Sequence, residues 1–210
     1  MTTGRSLDEL LAEIDGLAAS APRLVVGLCG PPGVGKSTVA DLLTDRLGER
    51  ATVLGMDGFH LADEVLAELG LSDVKGAPET FDPDGFVQLL DRVRSAIDRP
   101  VYAPSFDRSI EAAVAGSVAI RPEHRVVIVE GNYLLMEGAW APVRPLLDLT
   151  VYLQLDGEER RRRLIERHIR HGRSRDAAIE WVDRSDEANA RRIAATAGLA
   201  DRRLDFDSNH

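Results

Sequence analysis

The segment Gly30-Pro-Pro-Gly-Val-Gly-Lys-Ser37 has the spacing G-x-x-x-x-G-K-[ST], with Thr38 directly after it, and this is a phosphate-binding loop. Gly30, Gly33 and Gly35 let the backbone turn tightly and aim its N–H groups inward without a Cβ in the way. Pro31, Pro32 and Val34 complete the turn. The helix expected from Ser37 adds the positive end of its dipole at the same place. Lys36 can reach the β- and γ-phosphates, and the Ser37 hydroxyl can ligate Mg²⁺. The chain has only two lysines, Lys36 and Lys75, against 24 arginines. Lys36 thus stands where a compact ammonium on a flexible stem suits the chemistry. Neither lysine follows an asparagine, so the guanine-reading pattern N-K-x-D is missing and ATP is the expected nucleotide.

Two carboxylates could turn bound phosphate into chemistry. Asp57, in "MDGFH", ends the second expected strand, at the sheet edge where parallel strands open onto ligands. There it can accept a hydroxyl proton and orient the oxygen for in-line attack on a γ-phosphate. The plain alternative is an Asp-Gly turn. His60 reads equally as a site group or a surface turn histidine. Glu130 leaves the apolar strand "VVIVE" at the same edge, before Gly131 and Asn132. It can hold Mg²⁺ or its water, or be a solvated strand end. The run "EERRRRLIERHIRHGRSR" has eight arginines from Arg160 to Arg175. It reads as a solvated helix face, or as a lid over about 160–176 whose guanidiniums clamp phosphoryl oxygens. Arg163, Arg167, Arg170 and Arg173 recur at helical spacing, and Arg163 and Arg167 are the expected ATP contacts.

Elements must carry these groups. Ser6 is placed to cap a helix with Leu7, Leu10, Leu11, Ile14 and Leu17 inward. Strands are expected at Arg23–Cys29, Thr52–Met56, Arg125–Val129 and "LTVYLQLD", with a last one in "RRLDFD". Helices are expected near Ser37–Arg46, Leu61–Leu69 and Asp84–Ile97, and from Gly157 to Ala197 with a break at "RHGRSR". "RPVYAPSFDRS" reads as a short strand with a proline-broken loop. Strands alternating with helices predict an α/β fold, a mostly parallel sheet covered on both faces.

At 210 residues the chain fits a single such domain spanning 1–210. One cysteine excludes an intramolecular disulfide framework and suits a reducing cytoplasm. The N-terminus has no signal-peptide core, and no apolar run is long enough to span a membrane. A net charge of -9 argues against a general nucleic-acid binder, so the expected partner is a small molecule.

The ordered set "GPPGVGKST", "DGFH", "KGAPETFD", "YAPSFDRS", "EGNYLL" and "RRRLIERHIRHGRS" resembles the phosphoribulokinase/uridine kinase family of P-loop kinases, which includes bacterial pantothenate kinase. The likeness runs from Leu24 to about Asp207. It implies a P-loop NTPase fold with a small Arg-rich lid, catalytic roles for Asp57 and Lys36, and an acidic metal-side role for Glu130 beside Ser37. It further implies an acceptor pocket around His60, Tyr102, Asp107, Arg108 and Asn132. "PVYAPSFDRSIEAA" lacks the histidine of the uridine kinases and shortens the pantothenate-kinase pattern, so neither substrate carries over. The implied activity is transfer of the γ-phosphoryl of Mg-ATP to a hydroxyl of a small metabolite. A nucleotide-gated regulatory protein and an RNA-associated ATPase are the rival readings.

Overall fold

The computed structural model describes residues 6–206; the end of the family-like stretch, Asp207, lies outside them. Ser6 opens the chain with a capping box, its hydroxyl accepting from the Glu9 N–H while the Glu9 carboxylate accepts from the Ser6 N–H. Helix α1 (Leu7–Ala18) then leads to strand β1 (Leu24–Cys29), helix α2 (Lys36–Leu47) and strand β2 (Ala51–Gly55). Next come α3 (Asp63–Glu68) and α4 (Pro83–Ser95), the antiparallel pair β3 (Val101–Asp107) and β4 (Ala112–Ile120), and strands β5 (Val126–Gly131) and β6 (Leu149–Gln154). Helices α5 (Gly157–Arg170), α6 (Arg175–Trp181) and α7 (Glu187–Ala194) precede the last strand, β7 (Arg202–Asp205).

The main sheet has the order β2-β5-β1-β6-β7, every neighbouring pair parallel. Period-two alternation divides its side chains between two cores. Leu24, Val26, Leu28 and Ile128 pack with Leu10, Ile14, Val39 and Leu43 of α1 and α2 on one face. Val25, Val127 and Val129 pack with Phe86, Leu90 and Val93 of α4 on the other. A sheet buried on both faces needs near-continuous apolar strands, and β1 is buried at every position. β1 lies mid-sheet, and the chain runs to one side of it and then to the other. Its C-terminal end is thus the switch point where such sheets bind ligands.

Two features depart from the sequence expectation. The expected proline-broken loop is a continuous strand: β3 runs through Pro104, and the register to β4 shifts between Ala103 and Ser105. A proline gives no N–H to the ladder and is accommodated at such an irregularity. Its partner β4, "AAVAGSVAI", is mostly exposed, so it lacks the buried alternation that marks a strand in sequence. The expected helix at Leu61–Leu69 is also shorter, Asp63–Glu68, because His60 bridges Phe81 and Ala62 stays extended as the N-cap, holding the backbone out of helix until Asp63.

The β3–β4 hairpin leans on the turn that carries Asp57. A Cβ on Gly58 would stand 2.5 Å from the Pro104 carbonyl oxygen. The glycine beside the aspartate therefore permits a close backbone–backbone contact. Gly58→Ala is expected to force turn and hairpin apart, lowering stability by about 1–3 kcal/mol. A urea titration of the two proteins measures the loss, and an unchanged midpoint would contradict the contact.

Candidate active site

The phosphate loop connects β1 to α2, and packing on three sides forbids side chains at its glycines. Gly30, Gly33 and Gly35 all have positive φ, at 151°, 80° and 97°. A Cβ would meet the Leu153 carbonyl at Gly30, Leu164 of α5 at Gly33 and the Phe206 ring at Gly35. Gly30, Pro31, Pro32 and Val34 are buried in the loop's support. Gly33, Gly35, Lys36, Ser37 and Thr38 line a cleft of about 1010 Å³, as does Pro32. Lys36 donates to the carbonyls of Gly30, at 3.0 Å, and Pro31, at 3.2 Å. Burial brings its pKa down to about 8, opposed by the charges of Glu130 and Asp57.

Glu130 projects from the end of β5, next to β1, into the same cleft. The Ser37 hydroxyl donates to its Oε2 at 3.1 Å. Burial pushes the Glu130 carboxyl above its ordinary range while Lys36 draws it back. A hydroxyl and a carboxylate oxygen beside a phosphate loop are the hard donors Mg²⁺ prefers, and that ion commonly takes one or two protein ligands with phosphate oxygens and water completing its shell. Among the described residues no cluster of three or more His, Cys, Asp or Glu could cage a metal without such help.

Asp57 lies in a single 3-10 turn, Met56–Phe59, directly after β2. Its Oδ2 faces Arg108 Nη2 at 3.5 Å. His60 Nδ1 donates to the Asp57 carbonyl at 2.8 Å. The His60 ring packs on Phe81 and Phe106, with centroids 3.9 and 4.8 Å away. Burial favours its neutral form, an effect opposed by Asp57. Asp57, His60, Arg108 and Asn132 all line the cleft.

The structure does not bring Tyr102 and Asp107 to that cleft. Tyr102 is 60% exposed on the hairpin. Asp107 is occupied locally, accepting from the Ser109 N–H at 2.8 Å and its hydroxyl at 2.6 Å. Pleating turns Asp107 away from its neighbour Phe106, which faces inward, and the register shift after Ala103 puts Tyr102 on the outer face although it is four residues from Phe106.

The arginine segment divides by helix face. Arg160 is buried, donating to the Pro32 carbonyl at 3.3 Å and pairing with Glu187, so it holds α5 to the loop. Arg161 and Arg162 pair outward with Asp183, Glu159 and Glu166. Arg163, Arg167, Arg170 and Arg173 line the cleft. Arg163 also pairs with Glu159 at 2.7 Å, and Arg173 stacks on Trp181 at 3.9 Å. The sequence reading missed Asp186 and Asn189, which enter the cleft from the turn Val182–Asp186 and from α7. That turn is a π-helix, a form often found at functional sites, and nothing in "VDRSDEANA" announces it.

A parallel sheet with a phosphate loop at its switch point, an acidic strand end and a facing aspartate define a nucleotide-dependent P-loop kinase. A family model described as an AAA domain matches residues 26–187. A "putative uridine kinase" of Schizosaccharomyces pombe is 35% identical over 196 residues, 88% of this chain and 83% of the relative. A pantothenate kinase of Vibrio cholerae is 30% identical over 182 residues, covering 79% of this chain and 56% of that enzyme. Among solved structures, a "putative fructose transport system kinase" from Silicibacter superposes with a TM-score of 0.87 at 38% identity, covering 97% of this chain and all of that one. The chain belongs to the phosphoribulokinase/uridine kinase family of P-loop kinases. It is a kinase that uses a nucleotide and a small-molecule substrate. No helix among the described residues is long and apolar enough to cross a membrane.

The lowered pKa of Lys36 gives a pH test. Above about 8 the free protein holds this lysine mostly neutral, whereas polyphosphate beside it favours the ammonium. ATP binding at pH 8.5 is therefore expected to take up about three-quarters of a proton, and affinity to fall as pH rises through 8. Calorimetry in buffers of different ionisation enthalpy measures the uptake, which Lys36→Met should abolish.

Proposed function

We propose that the protein transfers the γ-phosphoryl group of Mg-ATP to a hydroxyl of a small metabolite of the nucleoside, sugar or pantothenate type. The observation that carries this reading is Asp57 facing the same cleft as Lys36, Ser37 and Glu130. A protein that only senses nucleotide needs no proton acceptor there.

In this reading the amides of Gly33, Gly35 and Lys36 and the Lys36 ammonium hold the phosphates. Lys36 leaves the carbonyls of Gly30 and Pro31 for the ligand. Ser37 and Glu130 hold Mg²⁺, which when bound neutralises phosphate charge. Asp57 accepts a hydrogen bond from the acceptor hydroxyl, aligns its oxygen with the γ-phosphorus and takes its proton as the new bond forms. Arg163 and Arg167 face the cleft from α5 and neutralise the transferring group. Burial makes the Arg167 guanidinium less comfortable as a cation, a cost an arriving phosphate offsets. Together α5 and α6 act as the lid, excluding water that would compete as acceptor. His60 and Asn132 line the acceptor side.

The two carboxylates then answer differently to substitution. Asp57→Asn is expected to keep ATP affinity and lower kcat by about 10²- to 10⁴-fold. Glu130→Gln is expected to raise the Mg²⁺ concentration for half-maximal rate, with partial rescue by excess metal. A magnesium titration of both variants checks the division; equal responses would refute it.

A further inference from the structure

Asn189 reaches the cleft from α7 and has no role in the scheme above. It is only 7% exposed and lines the cleft, yet among the described residues no protein group hydrogen-bonds its carboxamide. No fully enclosed side-chain nitrogen or oxygen among them lacks a partner, so the amide end opens to the cleft space. A nearly buried amide without a protein partner points to one supplied by ligand or water. Its position is fixed by its neighbours on α7. Arg192 pairs with Glu79 at 2.7 Å, and Ile193 joins the core that contains Phe81 and Tyr133. This face of α7 therefore leans on the turn that carries Phe81, whose ring stacks on His60. Asn189 thus enters the cleft between the turn carrying Glu79 and Phe81, which Arg192 holds, and Asp186, which pairs with His168 of α5 at 2.8 Å.

The Asp57 side of the cleft is unusual in its cations. Lys75 is already balanced, with Nζ 2.6 Å from Asp63 and 3.1 Å from the Glu111 carbonyl. Arg108, in the same hairpin turn as Glu111, faces Asp57 itself, at 3.5 Å. The carboxylate proposed to receive the acceptor hydroxyl is thus partly committed to a guanidinium. A neutral polyol offers Arg108 nothing in exchange. A carboxylate or phosphate on the acceptor offers a shorter, charge-assisted pair and leaves Asp57 to the hydroxyl.

We propose that the acceptor is an anionic hydroxylated metabolite, whose carboxylate or phosphate draws Arg108 from Asp57 and whose polar body hydrogen-bonds Asn189. The inference rests on the phosphotransfer reading and narrows its substrate class. In the reaction, the acceptor oxygen bonds to the γ-phosphorus and the bond from that phosphorus to the β–γ bridging oxygen breaks. Its electron pair leaves on ADP, and the hydroxyl proton passes to Asp57. Arg108 acts by binding the acceptor anion, and Asn189 by positioning its body.

The test compares acceptors that differ in charge but keep a hydroxyl: D-glycerate with glycerol, pantothenate with panthenol, and ribose 5-phosphate with ribose. Wild-type kcat/KM is expected to favour the charged member by about tenfold or more, the carboxylate and phosphate arms telling which anion is read. Arg108→Gln should raise KM for that charged acceptor about tenfold, erase most of the preference for charged over neutral members and preserve KM for ATP. Asn189→Ala should raise KM for both members with kcat largely kept. Asn189→Asp, of the same size, should weaken the charged member more than the neutral one, and thermal melts confirm that each variant folds. Equal rates for charged and neutral members, or an Arg108→Gln defect that falls on ATP, would overturn the inference alone. Transfer to no member of any pair would overturn the phosphotransfer reading along with it.

Discussion

A backbone can present its amides to a phosphate only where no side chain stands between them, and that constraint organises this molecule. The loop from Gly30 to Ser37 is hemmed in by the β6 carbonyl of Leu153, by Leu164 of α5 and by Phe206 beyond β7. These neighbours come from three elements far along the chain, so the loop keeps its shape only when the whole sheet has closed. Burial beside the Gly30 and Pro31 carbonyls draws the Lys36 pKa down to about 8. Anion binding at this place is thus a tertiary property, although the motif that announces it is local.

Much of the phosphate half was legible in sequence for a physical reason. Glycine is demanded where φ is positive and contact is tight, and a strand buried on both faces must be apolar throughout. "LVVGLCGPPGVGKST" satisfies both demands within one short stretch. Glu130 was legible too, because a carboxylate ending "VVIVE" has few explanations other than a sheet edge facing something polar. Strand β7 was readable from "RRLDFD", and its seat beside β6 is secured by Asp201, which accepts from the N–H and hydroxyl of Thr150 at 2.8 and 2.6 Å.

The acceptor half was legible only in part, since it depends on which way side chains turn. Arg108 and His60 reach the cleft, whereas Tyr102 and Asp107, in the same resemblance, do not. Strand parity decides between Phe106 and Asp107, and a bulge at Pro104 resets that parity without a sequence mark that fixes its register. Strand β4 pairs through its backbone and offers small, exposed side chains, leaving no periodicity to read. Asp186 and Asn189 depend on a π-turn, whose extra residue per turn shifts the helix face by an amount that no 3.6-residue pattern predicts.

These two halves differ in how they are anchored. The phosphate loop and the groups beside it rise from strand ends sealed by the cores, so altering them disturbs the sheet. The groups on the acceptor side stand on a hairpin, a 3-10 turn and α7, outside the parallel ladder. Side chains there can change while the sheet and its loop persist. That separation explains how relatives named for uridine, pantothenate and fructose transport share a fold with this chain, and why the fold alone does not define an acceptor. Specificity must then reside in a few side chains that touch the acceptor without supporting the core. Arg108, paired with Asp57 from a surface hairpin, meets that condition, whereas Arg160, equally cationic but buried under the loop, does not.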